Sequence, residues 1–427
     1  MIITRNPTHS QPTVSRGRMV DWSSIVARKL PRQTIPNKPM HESVVFSLFL
    51  IFSGAALLAT VALYLRQAML VAYLILGAAL GPWGLALVTD AGFIQDIARI
   101  GIIFLLFLLG LDLSPQKFFR LLGRTAPATL FSALLFAGVA SLIAWACGFG
   151  GVDVYLIGLA ACFSSTIIGL KLLPTTVLHH RHTGEVIISV LLLQDLIAIV
   201  ALLAVHGLKG GAMPLTDIGM LFIALPALGA LAWLGQRHLL LKLLRRFDRI
   251  QEYIFLLAIG WCLGVAQLAE SIGLSYEIGA FTAGVAVAAS PIAMHIAERL
   301  KPLRDFFLIL FFFGLGAGFD LAAAWQVALP AFLIGGSLLV IKPVAFRFLL
   351  AQTAQTERVA WETGVRLGQL SEFSLLIVFV ARQNNLISDP AFYAVQLATI
   401  ISFIASTYWI VLRYPTPMAL SERLRRD

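Results

Sequence analysis

The amino-acid sequence predicts an all-α integral membrane protein. Of the 427 residues, 59% are hydrophobic and only 13% are charged, and the mean hydropathy of +0.87 is too high for a water-soluble globule. Apolar runs recur at the length of a helical span, roughly 20 residues. The runs are unbroken, whereas barrel strands alternate polar and apolar residues, so a β-barrel is excluded.

Hydropathy places about thirteen spans, near 43–65, 68–88, 98–111, 127–148, 153–173, 184–206, 215–235, 252–270, 274–290, 305–318, 324–350, 361–381 and 391–412. The connections are short and leave no room for a second soluble domain. The expected organisation is a basic polar tail over 1–42, a transmembrane domain over 43–413 and a cytoplasmic tail over 414–427. Basic residues sort to alternate loops. Loops after odd-numbered spans carry clusters such as Arg237, Lys242, Arg245, Arg246 and Arg249, or Arg299, Lys301 and Arg304, whereas those after even-numbered spans carry only Arg99, Lys209 and Arg382. This bias places the C-terminus in the cytoplasm. The basic residues of 1–42, among them Arg5, Arg16, Arg18 and Arg28, resist translocation, and two readings stay open. Either the chain starts naturally at Met40, or a basic tail lies on anionic lipid and the span count is twelve or fourteen. The net charge of +10 is accordingly assigned to topology and lipid, not to nucleic acid. Cys147, Cys162 and Cys262 lack paired spacing and read as small buried hydrophobes.

Ionisable residues inside spans are costly, so each is a candidate for function. Span six carries Gln194 and Asp195 in mid-helix, and span eleven carries Lys342 before Pro343. A lone carboxylate and a lone ammonium lower each other's desolvation cost by pairing, so Lys342 is the expected ion-pair partner of Asp195. The pair is either a static device fixing helix register or the centre of a transporter in which the carboxylate carries a proton or a cation. Competition of the two for one site couples their gradients. Span five contains Ser164-Ser165-Thr166, and span twelve contains Arg366, Gln369, Ser371 and Glu372 among glycines. Such clusters suit discontinuous helices whose freed carbonyls and half-helix ends meet an ion, or else ordinary small-residue packing with hydroxyls bonded back to the preceding turn. Their corresponding positions in two halves, spans 1–6 and 8–13, favour an inverted repeat. Arg366 and Glu372 then neutralise half-helix ends or pair with each other. His179, His180 and His182 around Arg181 read as a solvated cluster, and Asp112 and Asp320 as interfacial carboxylates. Gly260-x-x-x-Gly264, Gly314, Gly316 and Gly318 read as sites of close helix approach.

Several segments in order carry a family resemblance: Gly77-Ala-Ala-Leu-Gly81-Pro82-Trp83-Gly84; Phe107-Leu-Leu-Gly110-Leu-Asp112-Leu; Ser164-Ser165-Thr166; Leu193-Gln194-Asp195; Gly279-Ala-Phe-Thr-Ala-Gly284; and Gly368-Gln369-Leu-Ser-Glu372-Phe. Over roughly Ser43 to Arg413 the chain resembles the Kef-type transporters of the monovalent cation:proton antiporter-2 group. The resemblance implies a dimerisation domain and a mobile core carrying two crossed broken helices, spans five and twelve, and a homodimer in the bacterial inner membrane. It implies Asp195 as ion and proton carrier with Lys342 as its switching partner, Gln194, Ser164, Ser165 and Thr166 as ion-site groups, and Gln369 at the crossover with Glu372 and Arg366. Gln194 before Asp195 implies K⁺ rather than Na⁺ and a near-electroneutral exchange for H⁺. The rival is a channel-like cation permease without obligatory proton coupling. The regulated Kef pattern continues into a nucleotide-binding domain, but no GxGxxG follows any predicted strand here, so no cofactor is expected. With no HExxH, CxxC or paired catalytic carboxylates, no enzyme is expected either.

Overall fold

A computed structural model describes residues 44–112, 115–174, 182–207, 215–247, 250–288, 290, 293–352 and 356–417. Every regular element among the described residues is helical. The basic segment 1–42, residues His179, His180 and Arg181, and the end of the tail lie outside the described residues, as do the side chains of Asp112 and His182.

In chain order the helices are α1 (Val44–Tyr64), α2 (Met69–Leu80), α3 (Ala91–Asp112), α4 (Pro115–Ala146), α5 (Val152–Ala161), α6 (Thr166–Lys171), α7 (His182–Gly207), α8 (Leu215–Gly235), α9 (Leu241–Arg246) and α10 (Gln251–Ser271). They continue with α11 (Tyr276–Ala288), α12 (Ala293–Ala317), α13 (Leu321–Gln326), α14 (Ala328–Ala351), α15 (Glu357–Arg366), α16 (Glu372–Gln383) and α17 (Asp389–Arg413). Each expected span falls on a helix or a pair of half-helices. Among the described residues, eight segments are long and apolar enough to cross a membrane.

Helices α3 and α4 begin upstream of their apolar spans, at Ala91 and Pro115, and three further boundaries differ from the hydropathy reading. Span two ends early, at Leu80, because Gly81, Pro82 and Gly84 fold the chain into a turn in which a Cβ on Gly84 would lie 2.4 Å from the Ala78 carbonyl oxygen. Helix α12 begins well before the apolar part of span ten, since charged residues in its first turns lower hydropathy without breaking a helix. A π-helical turn, Gln236–Leu240, carries α8 into α9, so the basic stretch after span seven is helix rather than loop.

The helices pack in two groups. In the first, α2 and α3 pair with α12 and α11, with α1 on α2 and α10 on α11. The pairing is backbone to backbone. A Cβ on Gly77 would lie 2.1 Å from the Phe313 carbonyl oxygen, and one on Gly316 2.1 Å from that of Leu74. In the mirrored position, a Cβ on Gly110 would lie 2.5 Å from the Phe281 carbonyl oxygen and one on Gly284 2.2 Å from that of Phe107. These two contacts, spans two with ten and nine with three, have the correspondence an inverted repeat requires. Gly260 and Gly264, expected at a close approach, have nothing within 4 Å of an added Cβ among the described residues, because they lie on an exposed face of α10.

Gly284→Ala is therefore expected to cost roughly 1–3 kcal/mol, while Gly260→Ala is neutral or slightly stabilising. Thermal unfolding of the two variants in detergent checks this.

The second group is built of α4, α5, α7, α14, α15, α16 and α17. Large apolar side chains cover its outer faces, including Phe131 and Leu134 on α4 and Phe332 and Phe348 on α14.

Candidate functional site

Spans five and twelve are broken. Span five becomes α5 and α6, restarted by Ser165, whose extended backbone lets its Oγ accept the Ile168 N–H at 3.1 Å. Span twelve becomes α15 and α16, restarted by Ser371, whose Oγ accepts the Phe373 N–H while Ser374 Oγ accepts the Ser371 N–H.

The two breaks lie against each other. Ser164 Oγ donates to the Leu367 carbonyl at 2.8 Å, and Gln369 Nε2 donates to the carbonyls of Arg366 and Ser165 at 3.1 and 3.4 Å. Ser374 Oγ donates to the Ala160 carbonyl. Helix α17 supports the crossing with a stripe of small hydroxyls: Ser402 Oγ accepts the Leu370 N–H, and Ser406 Oγ donates to Gln369 Oε1 at 2.8 Å.

Lys342 reaches this crossing from α14 and is fully buried. Its Nζ donates to the carbonyls of Phe163 at 2.6 Å and Gln369 at 2.9 Å and to Ser164 Oγ at 3.3 Å. It also lies 5.2 Å from the centre of the Phe136 ring. An ammonium has three donors, and three acceptors meet them. The expected ion pair with Asp195 is thus not present: the carbonyls released where α5 and α15 end converge on the ammonium and supply the negative charge it needs.

The opposite ends behave as the opposite pole. Glu372 Oε1 accepts the Ile167 N–H in the first turn of α6 at 3.3 Å, while Glu372 itself opens α16. At the other end of α6, Arg366 Nη1 donates to the Leu172 carbonyl at 3.0 Å. Its Nε pairs with Glu362 at 3.0 Å, and its Nη2 reaches the Pro415 carbonyl at 3.0 Å. Of the two arrangements left open by the sequence, neutralisation of half-helix ends is the one found. The arginine's carboxylate partner is Glu362, one turn back on its own helix.

Gln194 Oε1 accepts the Ser164 N–H at 3.0 Å, which ties α7 to the break in span five. Asp195, 3% exposed, faces the other way. Thr166 Oγ1 lies 3.2 and 3.4 Å from its two carboxylate oxygens. A cavity of about 220 Å³ opens beside them, between α3 and α12 of the first group on one side and α7 and α16 of the second, with the short helix α6, on the other. Its walls are apolar (Leu105, Leu109, Phe311 and Phe312 among them) except for Asp195, Thr166 and Glu372 on one side and Arg304 and Asp305 at its polar rim. Of the expected ion-site residues, Asp195 and Thr166 line this cavity. Gln194, Ser164 and Ser165 are turned into the crossing, Lys342 and Gln369 hold its carbonyls, and Glu372 belongs to both.

Sequence reasoning passed over the α17 hydroxyls, although Thr399, Ser402 and Ser406 recur at helical spacing and are buried. It also missed Asp305 as a wall residue. Asp320 is helix-capping: its Oδ1 accepts the N–H groups of Ala322 and Ala323.

Crossed half-helices beside a buried carboxylate, at the seam of two helix groups, define a secondary-transporter fold. The profile described as "Sodium/hydrogen exchanger, transmembrane" matches residues 48–413, and the chain belongs to that family. It is 30% identical over 393 residues to the glutathione-regulated potassium-efflux system protein KefC of Escherichia coli strain CFT073, covering 90% of this chain and 63% of KefC. It is also 30% identical over 380 residues to KefC of Salmonella typhi, covering 87% and 61% of the two chains. The chain thus spans less than two thirds of the length of these curated relatives. The fold matches that of the sodium proton antiporter MjNhaP1 from Methanocaldococcus jannaschii, with a TM-score of 0.62 at 15% identity over 86% of this chain and 95% of the other.

Proposed function

We propose that the protein exchanges a monovalent cation, K⁺ before Na⁺, for H⁺ by alternating access, as a homodimer in the bacterial inner membrane with its C-terminus in the cytoplasm. The observation that carries this reading is the placement of Asp195 with Thr166 on a cavity wall at the seam between the two helix groups. The hydroxyl donates to the carboxylate and keeps its own lone pairs available. Asp195, Thr166 and Glu372 then offer a dehydrating alkali ion hard oxygen ligands, and a proton on Asp195 removes the charge that holds it there. The names of the relatives, potassium-efflux systems, support K⁺ as the cation. By the loop-charge bias the Arg304 rim is cytoplasmic, so the cavity is the inward-facing half of the path.

The test is exchange in proteoliposomes carrying a pH-sensitive dye, with K⁺, Na⁺ and Li⁺ added at several pH values. The expected result is proton movement driven by K⁺, and less by Na⁺. Cation uptake with no accompanying proton movement would overturn the reading in favour of a channel-like permease.

A further inference from the structure

On the side away from Arg304, α12 closes the first helix group against α16 and α17 of the second. Cavity residues on α12 run from Arg304 through Leu308 to Phe311 and Phe312. Phe311 then stands edge-on to Phe379 of α16, ring centres 6.3 Å apart. One turn further, eleven residues and about 16 Å past Arg304, α12 meets α17, where Gln396 Nε2 donates to the Leu315 carbonyl at 2.8 Å. Phe319, just beyond the end of α12, stands edge-on to Tyr393, centres 5.8 Å apart. Tyr393 lies three residues before Gln396, on the same face of α17. Contacts thus advance along α12 as they recede along α17, so the two helices meet antiparallel.

Gln396 is 1% exposed, and its Oε1 has no hydrogen-bond partner among the described residues. The Leu315 carbonyl lies in the last turn of α12, where the helix runs out of N–H groups: that of Gly318 goes to Gly314 and that of Phe319 to Gly316. The bond therefore joins a half-satisfied carboxamide of one helix group to a helix-end carbonyl of the other, within the apolar cluster that holds Leu315, Phe319 and Tyr393. In a dry seam neither partner has an alternative, and parting them strands both. Once the seam opens and water enters, each is hydrated and little is lost. A contact remade in every transport cycle needs that property. Tyr393 is meanwhile fastened to its own group, since Arg382 Nη2 donates to its hydroxyl at 3.5 Å and pairs through Nε with Asp389 at 2.8 Å. It travels with α17, not with Phe319.

We propose that Gln396 is the latch on the closed side of the path: its bond to the Leu315 carbonyl, backed by Phe319 on Tyr393, holds the helix groups shut opposite the Arg304 rim and is released when that side opens. The inference rests on the antiport reading. A carboxamide that merely capped α12 would stabilise the fold without biasing which side of the seam admits water.

The experiment places a cysteine at Phe379, between the cavity and the latch, and measures by mass spectrometry its reaction with a membrane-impermeant maleimide applied to each face of membrane vesicles. Arg304→Cys marks the other face. Adding Gln396→Leu to Phe379→Cys is expected to raise labelling from the face opposite Arg304 about fivefold, the population change that loss of one buried hydrogen bond supports. In a second arm, a short reducible thiol cross-linker applied to Phe319→Cys combined with Tyr393→Cys should stop exchange in proteoliposomes, and reductant should restore it. Neither single variant should respond to the reagent. This arm decides the matter where Gln396→Leu does not fold. Labelling unchanged by Gln396→Leu, or full exchange by the cross-linked protein, overturns the inference while leaving antiport intact. Absence of exchange by the unmodified protein overturns the antiport reading, and the latch with it.

Discussion

Asp195→Asn is expected to reduce cation-coupled proton movement to the level of protein-free vesicles while leaving the folded protein intact. The amide matches the carboxylate in shape and can still face Thr166, so the packing of α7 against α6 survives. It neither takes up a proton in the relevant range nor presents a full negative charge to an alkali ion. A thermal unfolding midpoint close to that of the unmodified protein, together with lost exchange, separates carrier from scaffold. If exchange persists with its cation dependence, Asp195 is not the carrier.

The second large effect is structural, and it falls on Lys342. Lys342→Met keeps the apolar stem and removes the donors, leaving the Phe163 and Gln369 carbonyls and Ser164 Oγ without the ammonium that joins them. Each buried acceptor so stranded costs of the order of 1–3 kcal/mol, and the half-helix ends it neutralised then repel. The midpoint in detergent should fall steeply. Lys342→Gln retains two N–H donors and should recover part of the loss. Were Lys342 the direct partner of Asp195, the glutamine variant would chiefly displace the pH profile of exchange. With the contacts described here, stability moves first and the profile stays close to the original.

That contrast shows what the sequence could and could not disclose. Asp195, Lys342 and the two broken spans were legible because a charged or hydroxyl-rich residue within an apolar run is conspicuous and physically expensive. Their partners were not legible. Hydropathy gives the depth of a residue in a helix but not the direction in which that helix is turned, and a quarter-turn decides whether an ammonium meets a carboxylate or a backbone carbonyl. Gln194 and Asp195 are adjacent in sequence, yet the roughly 100° between neighbours on a helix turns one into the crossing and the other into the cavity. Gly260 and Gly264 had the spacing of a packing motif but occupy an exposed face, whereas Gly77 and Gly110 make the closer contacts.

The glycine contacts of the first helix group have a mechanical corollary. Where backbone touches backbone, as between Gly77 and Gly316 and between Gly110 and Gly284, no side chain stands between the helices to change rotamer and absorb a displacement. Two such welds, placed symmetrically, make α2, α3, α11 and α12 a stiff chassis. Any travel of Asp195 between compartments has to be a sliding of the other helices across it.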